Sequence, residues 1–232
     1  MTGQGNAIMA ILGGNTEALR ALLQQGMNPD QLLGIKTPAQ MVARMGHLDC
    51  LRLLCDHGAS LDPPTPHREP LLLSACSAKT SDCAEYLLSI GASINATDGA
   101  GASPLHVAAC DGATATIKVL VAAGADCNQE TPEGITPLVM AADCEQYEAM
   151  LALLRLGARG DRLGPRLWSD VLAKAPDPAA FLPQIEEGER EDIVQWLTRH
   201  RHLPESHPAL TAIRAAQARS MGASRISPQG LR

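Results

Sequence analysis

The sequence predicts an all-α solenoid, a repeat protein whose helix pairs stack in a row. Two marks recur along the chain with one period of 32 to 34 residues. The first is a glycine, found at Gly26, Gly58, Gly91, Gly124 and Gly157. The second is a proline, found at Pro38, Pro70, Pro104 and Pro137. Because two independent marks share one period, they indicate a structural repeat.

The composition also favours helices. Hydrophobic residues make up 45% of the 232 residues, yet aromatic residues make up only 2%. A core of Ala, Leu, Val, Ile and Met suits closely packed helices better than a β-sandwich, whose strands favour aromatic and β-branched residues. The chain is long enough to bury a sizeable core of this kind.

Each unit is predicted to contain two helices. A Thr, Ser or Glu before the recurring proline places an N-capping residue ahead of a proline at the first helical position. A short apolar helix follows, such as LHVAAC after Pro104, and then a second helix with Leu or Val at helical spacing. The recurring glycine ends the second helix in a left-handed conformation, and a polar loop leads to the next unit. The third unit carries one extra residue between its helices.

These motifs resemble ankyrin repeats. The stretch GASPLHVAACDG…VLVAAGADCN (101–128) matches the family at nearly every signature position, and TPLVMAA…LLRLGARGD (136–161) is similar. Residues 5–28 resemble an N-terminal capping repeat that keeps only its second helix well. The resemblance implies an ankyrin-repeat α-solenoid with β-turn or hairpin loops, or fingers, between the units. The five fingers are expected at 28–36, 62–69, 95–102, 128–135 and 159–166.

The predicted organisation is a repeat domain at 1–162, a helical C-terminal cap or degenerate sixth repeat at 163–221, and a disordered tail at 222–232. The repeat units lie near 5–28, 29–61, 62–94, 95–127 and 128–161. In the C-terminal region, helices are predicted near 166–174, 178–186, 189–201 and 207–221.

The resemblance implies a structural role for His106. In such repeats this histidine hydrogen-bonds to the hydroxyl group near the helix start, which Ser103 supplies here, and to neighbouring backbone. Gln40, Leu72 and Val139 occupy the equivalent positions of other units.

The resemblance also implies that partner-binding residues lie on a concave surface, at two variable positions after each first helix and in the fingers. The predicted residues at the helix ends are Arg44, Met45, Cys76, Ser77, Cys110, Asp111, Asp143 and Cys144. The predicted residues in the fingers are His67, Arg68, Asp98, Glu130, Glu133 and Arg162.

Seven cysteines, an odd number, and the lack of a CxxC motif argue against a disulfide framework and predict reduced thiols. Cys76 and Cys110 lie one repeat apart. Packed helices stand about 8–10 Å apart, whereas a disulfide needs Cα atoms within about 7 Å. No disulfide is therefore expected between Cys76 and Cys110. Cys50, Cys55 and Cys83 are expected in the core between repeats.

Other chemistry is disfavoured by the sequence. A net charge of −6 argues against nucleic acid or an anionic membrane as the partner. The N-terminus lacks a signal peptide pattern, so a cytoplasmic protein is expected. His200, His202 and His207 lack further metal ligands at familiar spacing. The acidic run at 186–192 fits a helix start. We therefore predict no cofactor and no metal.

The predicted function is recognition of a partner protein by a chain that is a monomer alone and not an enzyme. The chain would act by steric occupation, as an inhibitor, immunity-type or adaptor protein. One alternative is a regulatory or recruiting subunit of an enzyme complex, or a host-directed effector. Another is an enzyme with a reactive thiol near Cys110 or Cys76.

Overall fold

The computed structural model describes residues 3–63, 69–78, 80–185, 193 and 210–215. The chain divides into two compact units, Met1–Ala158 and Arg159–Arg232. The sequence placed the end of the repeats at residue 162, a few residues beyond this division.

The described part of the first unit is a series of helix pairs. The pairs are α1 (Gly3–Leu12) with α2 (Thr16–Gln24), α3 (Pro38–Met45) with α4 (Leu48–Asp56), α5 (Leu71–Cys76) with α6 (Asp82–Ser89), α7 (Pro104–Cys110) with α8 (Thr114–Ala122), and α9 (Pro137–Asp143) with α10 (Tyr147–Arg155).

The pairs stack as two layers of helices. The first helices contact one another in the order α1, α3, α5, α7 and α9. The second helices form the other layer in the order α2, α4, α6, α8 and α10. Each contact is thus between neighbouring units, which confirms the predicted solenoid.

The first helices begin where the capping pattern predicts, with one exception. Pro38, Pro104 and Pro137 each occupy the first turn of a helix. At Glu69–Pro70 the prediction is off by one residue, since Pro70 is the N-cap and α5 begins at Leu71. The Glu69 carboxylate accepts hydrogen bonds from Lys36 Nζ and Ser74 Oγ, and these two side chains hold it in place.

The first repeat contains both of its helices, contrary to the expectation that only the second was well kept. In α1, Ala7, Ala10 and Ile11 are buried. This helix contacts both α2 and α3. This helix lacks the start signal of the other units, which is a Thr, Glu or Ser followed by a proline.

Small side chains dominate the first-helix layer, which allows neighbouring helices to lie close together. Ala39, Ala43, Ala75, Ala108 and Ala141 are all fully buried. The second helices bury larger residues, namely Leu19, Cys50, Leu51, Leu54, Cys83, Leu87, Ile117, Leu120, Leu153 and Leu154. Cys50 and Cys83 thus lie in the core as expected, whereas Cys55 is half-buried.

The glycines that repeat at the ends of the second helices adopt the left-handed conformation that the sequence predicts. Their φ values lie between 88° and 102° at all five positions. A side chain with a Cβ atom is disfavoured at such φ values, so glycine ends each helix at low energetic cost.

The second unit has a core of its own. It contains a 3₁₀ helix (Gly160–Arg162), α11 (Gly164–Lys174) and a second 3₁₀ helix (Pro178–Gln184). The buried Trp168 donates a hydrogen bond from Nε1 to the Gly160 carbonyl at 3.1 Å. Its ring meets Phe181 edge-on, with the ring centroids 6.3 Å apart.

The predicted helices of the second unit have three different outcomes. The helix expected at 166–174 is present as α11. The α-helix expected near 178–186 is instead 3₁₀ and contains Pro183, which cannot donate an α-helical hydrogen bond. Of the stretches 189–201 and 207–221, only 193 and 210–215 are described, and both are helical. The tail at 222–232 lies outside the described residues.

Candidate protein-binding surface

The C-terminal ends of the stacked first helices place the predicted binding residues in a row, which we call the inner surface. It consists of Arg44, Met45, Ser77, Cys110, Asp111, Asp143 and Cys144. Arg44, Met45, Asp111 and Asp143 are exposed. Ser77, Cys110 and Cys144 are partly exposed. Because α3, α5, α7 and α9 contact in sequence, these ends are neighbours in space.

Cys76 does not belong to this surface, so its predicted role as a contact residue is wrong. The side chain is fully buried in α5, which lies between α3 and α7. The burial raises the pKa of the Cys76 thiol far above its usual range, and the charge of Asp111 acts in the same direction. A thiol held in this way is a poor nucleophile, which also counts against the hypothesis of a reactive Cys76.

The middle fingers carry further acidic groups. Glu130 and Glu133 are exposed, and Asp98 is half-buried. Asp98 also shapes its own finger, since one carboxylate oxygen accepts hydrogen bonds from the backbone N–H groups of Ala100 and Ala102, both at 2.9 Å. This use of Asp98 was not foreseen, although an Asp followed by a Gly-rich turn is a known signal for it.

The side chains of three predicted finger residues lie outside the described part of the chain. His67 and Arg68 lie outside the described residues. Arg162 is in the second unit, at the end of a 3₁₀ helix, and its side chain also lies outside the described part.

His106 has the structural role that the resemblance implied. It is fully buried, and its Nδ1 lies 2.8 Å from Ser103 Oγ and accepts a hydrogen bond from Ser103 N at 3.3 Å. The other ring nitrogen, Nε2, lies 3.0 Å from the carbonyl oxygen of Ile135 in the next finger. Since Nδ1 accepts, Nε2 carries the proton and donates to this carbonyl. The sequence did not show this second contact.

Two half-exposed cysteines of the inner surface are bonded, which corrects the prediction that every thiol is reduced. Cys110 and Cys144 form a disulfide, with their Cα atoms 5.4 Å apart. The sequence argument compared equivalent positions of successive repeats, such as Cys76 and Cys110. Cys144 instead lies one position further along its repeat than Cys110 does, and the alanine-rich helices α7 and α9 pack closely.

Exposed apolar side chains lie at the N-terminal end of the first-helix layer. Met9 and Met45 are 65% and 52% exposed. Ile35, in the first finger, is 56% exposed. Met9 was missed by sequence reasoning because α1 itself was not expected. The first-helix layer therefore offers apolar groups at one end and carboxylates at the other.

A metal-binding cluster and a membrane-spanning helix are both absent from the described residues. Within them, no group of three or more His, Cys, Asp or Glu residues is arranged to hold a metal ion. No helix there is both long and apolar enough to cross a membrane. Some residues for which no metal or catalytic role was predicted lie outside the described part. They are the acidic run at 186–192 and His200, His202 and His207.

Comparison with known proteins places these repeats in a family. A model described as ankyrin repeats (3 copies) matches residues 7–98 and 90–162. The chain is 30% identical over 159 residues to human ankyrin repeat and SOCS box protein 16, covering 65% of this chain and 35% of the relative. It is 32% identical over 145 residues to a transient receptor potential cation channel subfamily A member 1 homolog of Caenorhabditis elegans, covering 62% and 12%.

The chain belongs to the ankyrin-repeat family, because the family model covers more than half of it. Ankyrin repeats are a module for protein–protein interaction. The chain spans about a third of the length of the human relative and less of the nematode one. This similarity identifies the repeats. The chemistry of the inner surface is what bears on the particular partner.

Proposed function

We propose that this chain recognises a partner protein through the inner surface and acts by steric occupation, as an inhibitor, immunity-type or adaptor protein. The observation that supports this function is the contrast within the first helices of units two, four and five. The alanines and His106 are buried and hold the scaffold, whereas Asp111, Asp143, Arg44 and Met45 are exposed at the helix ends.

The charges of the surface favour a particular kind of partner. Units four and five present Asp111, Asp143, Glu130 and Glu133 in exposed positions. A partner segment that carries Lys or Arg opposite these units is electrostatically complementary, and it would also associate faster at low ionic strength.

The apolar end of the first-helix layer defines the other half of the partner. Met9 and Met45 are large, flexible and exposed side chains, which suit contact with an apolar group. The partner segment therefore combines a basic stretch with an apolar anchor. Such a contact needs little backbone change in the repeats, because the helices that carry it are packed through a buried alanine layer.

The test is a charge reversal after the partner has been identified by affinity capture with the full chain. The double variant Asp111→Lys with Asp143→Lys should weaken capture by at least about tenfold, since like charges would then face the basic segment. The matched control is Asp56→Lys with Glu148→Lys, which changes the charge equally on the second-helix layer. The control should bind normally, and both variants should melt close to the parent. Undiminished capture by the first variant would contradict the proposal.

A second candidate, a regulatory or recruiting subunit, is supported by the separate core of residues 159–232. The buried Trp168 and Phe181 give this unit a core of its own. The outer residues around that core then offer a surface for a second partner. Removal of residues 159–232 would then abolish recruitment of that second protein and preserve binding at the inner surface. If every captured protein is retained by the truncated chain, the recruiting role is excluded.

A further inference from the structure

The bonded cysteines join two neighbouring repeats at the inner surface. Cys110 is the last residue of α7, and Cys144 caps the C-terminal end of α9. The Cα separation of 5.4 Å lies within the range of about 4.4–6.8 Å that a disulfide bridges without backbone movement. The folded repeats thus hold these two residues in position for cross-linking.

The pair differs from the other thiols of the chain, all of which lie in the described residues. Cys50, Cys76, Cys83 and Cys127 are buried, and Cys55 is half-buried. Burial, helped by the charge of Asp82, raises the pKa of the Cys83 thiol to about 11. Burial also raises the pKa of Cys55 and Cys127. Buried thiols with few thiolate anions exchange slowly, so the half-exposed pair is the favoured site of reaction.

We propose that Cys110 and Cys144 form a reversible thiol–disulfide exchange site whose oxidation locks unit four to unit five. The oxidant is a low-molecular-weight disulfide. One cysteine loses a proton, and its thiolate attacks one sulfur of the reagent. A mixed disulfide forms with that sulfur, the S–S bond of the reagent breaks, and the other half of the reagent leaves as a thiolate. The second cysteine, after losing its proton, attacks the protein sulfur of the mixed disulfide and expels the second thiolate. Two protein thiols are oxidised, and one reagent disulfide is reduced to two thiols.

The cross-link closes the chain from residue 110 to residue 144. This loop contains α8, the finger at 128–135 and the whole of α9. Oxidation therefore restricts the unfolded ensemble of the junction between units four and five, and reduction releases it. This redox chemistry changes the stability of the chain itself and does not require the partner protein.

Carboxylates around the pair determine which reagents react fastest. Asp111 follows Cys110 directly, and Asp143 and Glu145 flank Cys144, all three being exposed. Their negative potential attracts a cationic disulfide and repels an anionic one. Cystamine should oxidise the pair about tenfold faster than oxidised glutathione at low ionic strength. The variant Asp111→Asn with Asp143→Asn should narrow this ratio. An equal rate for both reagents in the parent chain would overturn the assignment of reagent class.

The pairing itself is tested by peptide mapping of the full chain after equilibration in glutathione buffers of increasing oxidation. We expect one linked peptide pair, Cys110 with Cys144, which appears under oxidising conditions and disappears on addition of reduced glutathione. The other five cysteines should be recovered as thiols. Recovery of Cys110 and Cys144 as thiols or as separate mixed disulfides at every ratio would overturn the proposal, as would their pairing with other cysteines.

Thermal melting gives an independent readout of the lock. The oxidised chain should melt about 5–10 °C above the reduced chain. The double variant Cys110→Ser with Cys144→Ser should melt at one temperature under both conditions. Cys55→Ser, which removes a half-buried thiol elsewhere, should keep the full redox-dependent shift. A shift that survives in the double variant, or is lost in Cys55→Ser, would contradict the assignment.

Discussion

His106 and Gln40 make the same two kinds of contact with different side chains. His106 bonds back to Ser103 and forward to the carbonyl of Ile135, 29 residues ahead. Gln40 accepts a hydrogen bond from Thr37 N at 3.0 Å and donates one to the carbonyl of Glu69, also 29 residues ahead, at 2.6 Å. The position thus requires an acceptor and a donor at opposite ends of one side chain, and the imidazole ring is one of two groups that provide them here.

Replacement of His106 by Gln should therefore preserve the repeat and remove a source of acid sensitivity. Burial lowers the pKa of His106 below its usual 6.5, so the unfolded chain binds this proton more readily. Its stability contribution is complete above pH 6.5 and is lost as the pH falls towards the folded pKa. Urea unfolding at pH 7.5 and 5.5 should show a smaller acid loss for His106→Gln than for the parent.

A matched variant, His106→Leu, mimics the residue that unit three has at this position. It should cost about 1–3 kcal/mol at pH 7.5, because the carbonyl of Ile135 loses its buried donor. The Gln variant should cost less than about 1 kcal/mol. Equal losses for the two variants would show that the cross-repeat hydrogen bond is unimportant.

Glu145 has an unusual backbone conformation for its residue type. Its φ of 57° is left-handed, and the corresponding positions of units two and four are Gly46 and Gly112, with φ values of 77° and 70°. A residue with a Cβ atom pays about 1 kcal/mol for this conformation. Glu145→Gly should therefore be more stable than Glu145→Ala by about this amount in denaturant unfolding, since both variants lack the same carboxylate. If Glu145→Ala were as stable, the strain would be absent.

Among the elements, the first finger is held by two of its side chains, one of which reaches the next finger. Lys36 Nζ lies 2.6 Å from the Glu69 carboxylate of the next finger, and the two side chains are 23% and 21% exposed. Asp30 accepts a hydrogen bond from the backbone N–H of Ser60 at 2.9 Å. Such contacts order the first finger, whose described residues contain one isolated bridge, between Leu33 and Lys36.

The Glu69 carboxylate should be the more sensitive of these contacts to substitution. Burial favours a higher pKa, but hydrogen bonds from Lys36 and Ser74 outweigh it, so the pKa of Glu69 is lowered. Glu69→Gln should cost about 1–3 kcal/mol at neutral pH, because the partly buried Lys36 ammonium loses its counter-charge. The exposed Glu133→Gln should cost less than about 0.5 kcal/mol.

The pH dependence provides the check on this prediction. The folded pKa of Glu69 lies below its usual 4.5, so the ion-pair contribution is present above that pH and disappears as the pH falls further. The difference in unfolding free energy between the parent and Glu69→Gln should therefore shrink below pH 4.5. A difference that stays constant down to pH 3 would contradict the role of the charge.

Elements with a local signal could be predicted from the sequence, and elements fixed by packing could not. Thr37, Ser103 and Thr136 announce helix starts through their own hydrogen bonds. Helix α5 starts later than predicted. The side chain of Glu69, the residue expected to cap it, is bound by Lys36, a residue 33 positions away. The helix α1 has no start signal, and the burial of Ala7 and Ile11 is provided by its neighbours.

For the whole molecule, the repeat period predicted the stack of helix pairs. It did not predict which cysteines are buried and which are bonded, because these properties depend on three-dimensional distances between repeats. The equivalent positions of Cys76 and Cys110 suggested equal exposure, yet Cys76 is buried in the short helix α5 and Cys110 is not. The bond between Cys110 and Cys144 depends on a diagonal offset of one position between neighbouring repeats. A repeating pattern specifies which residues correspond, and it does not specify how closely diagonal neighbours approach.

The division of the chain into two units predicts that two spectroscopic signals will separate during unfolding. Both tryptophans, Trp168 and Trp196, belong to residues 159–232, whereas most described helices belong to residues 1–158. Tryptophan fluorescence therefore reports on the second unit, and far-UV circular dichroism reports mainly on the repeats. Because the second unit is smaller, it buries a smaller fraction of its surface and should unfold at a lower urea concentration. A fragment of residues 1–158 should keep the dichroism transition of the full chain within about 0.5 M urea. Coincident transitions in the full chain, together with an unfolded fragment, would show that the two units fold as one.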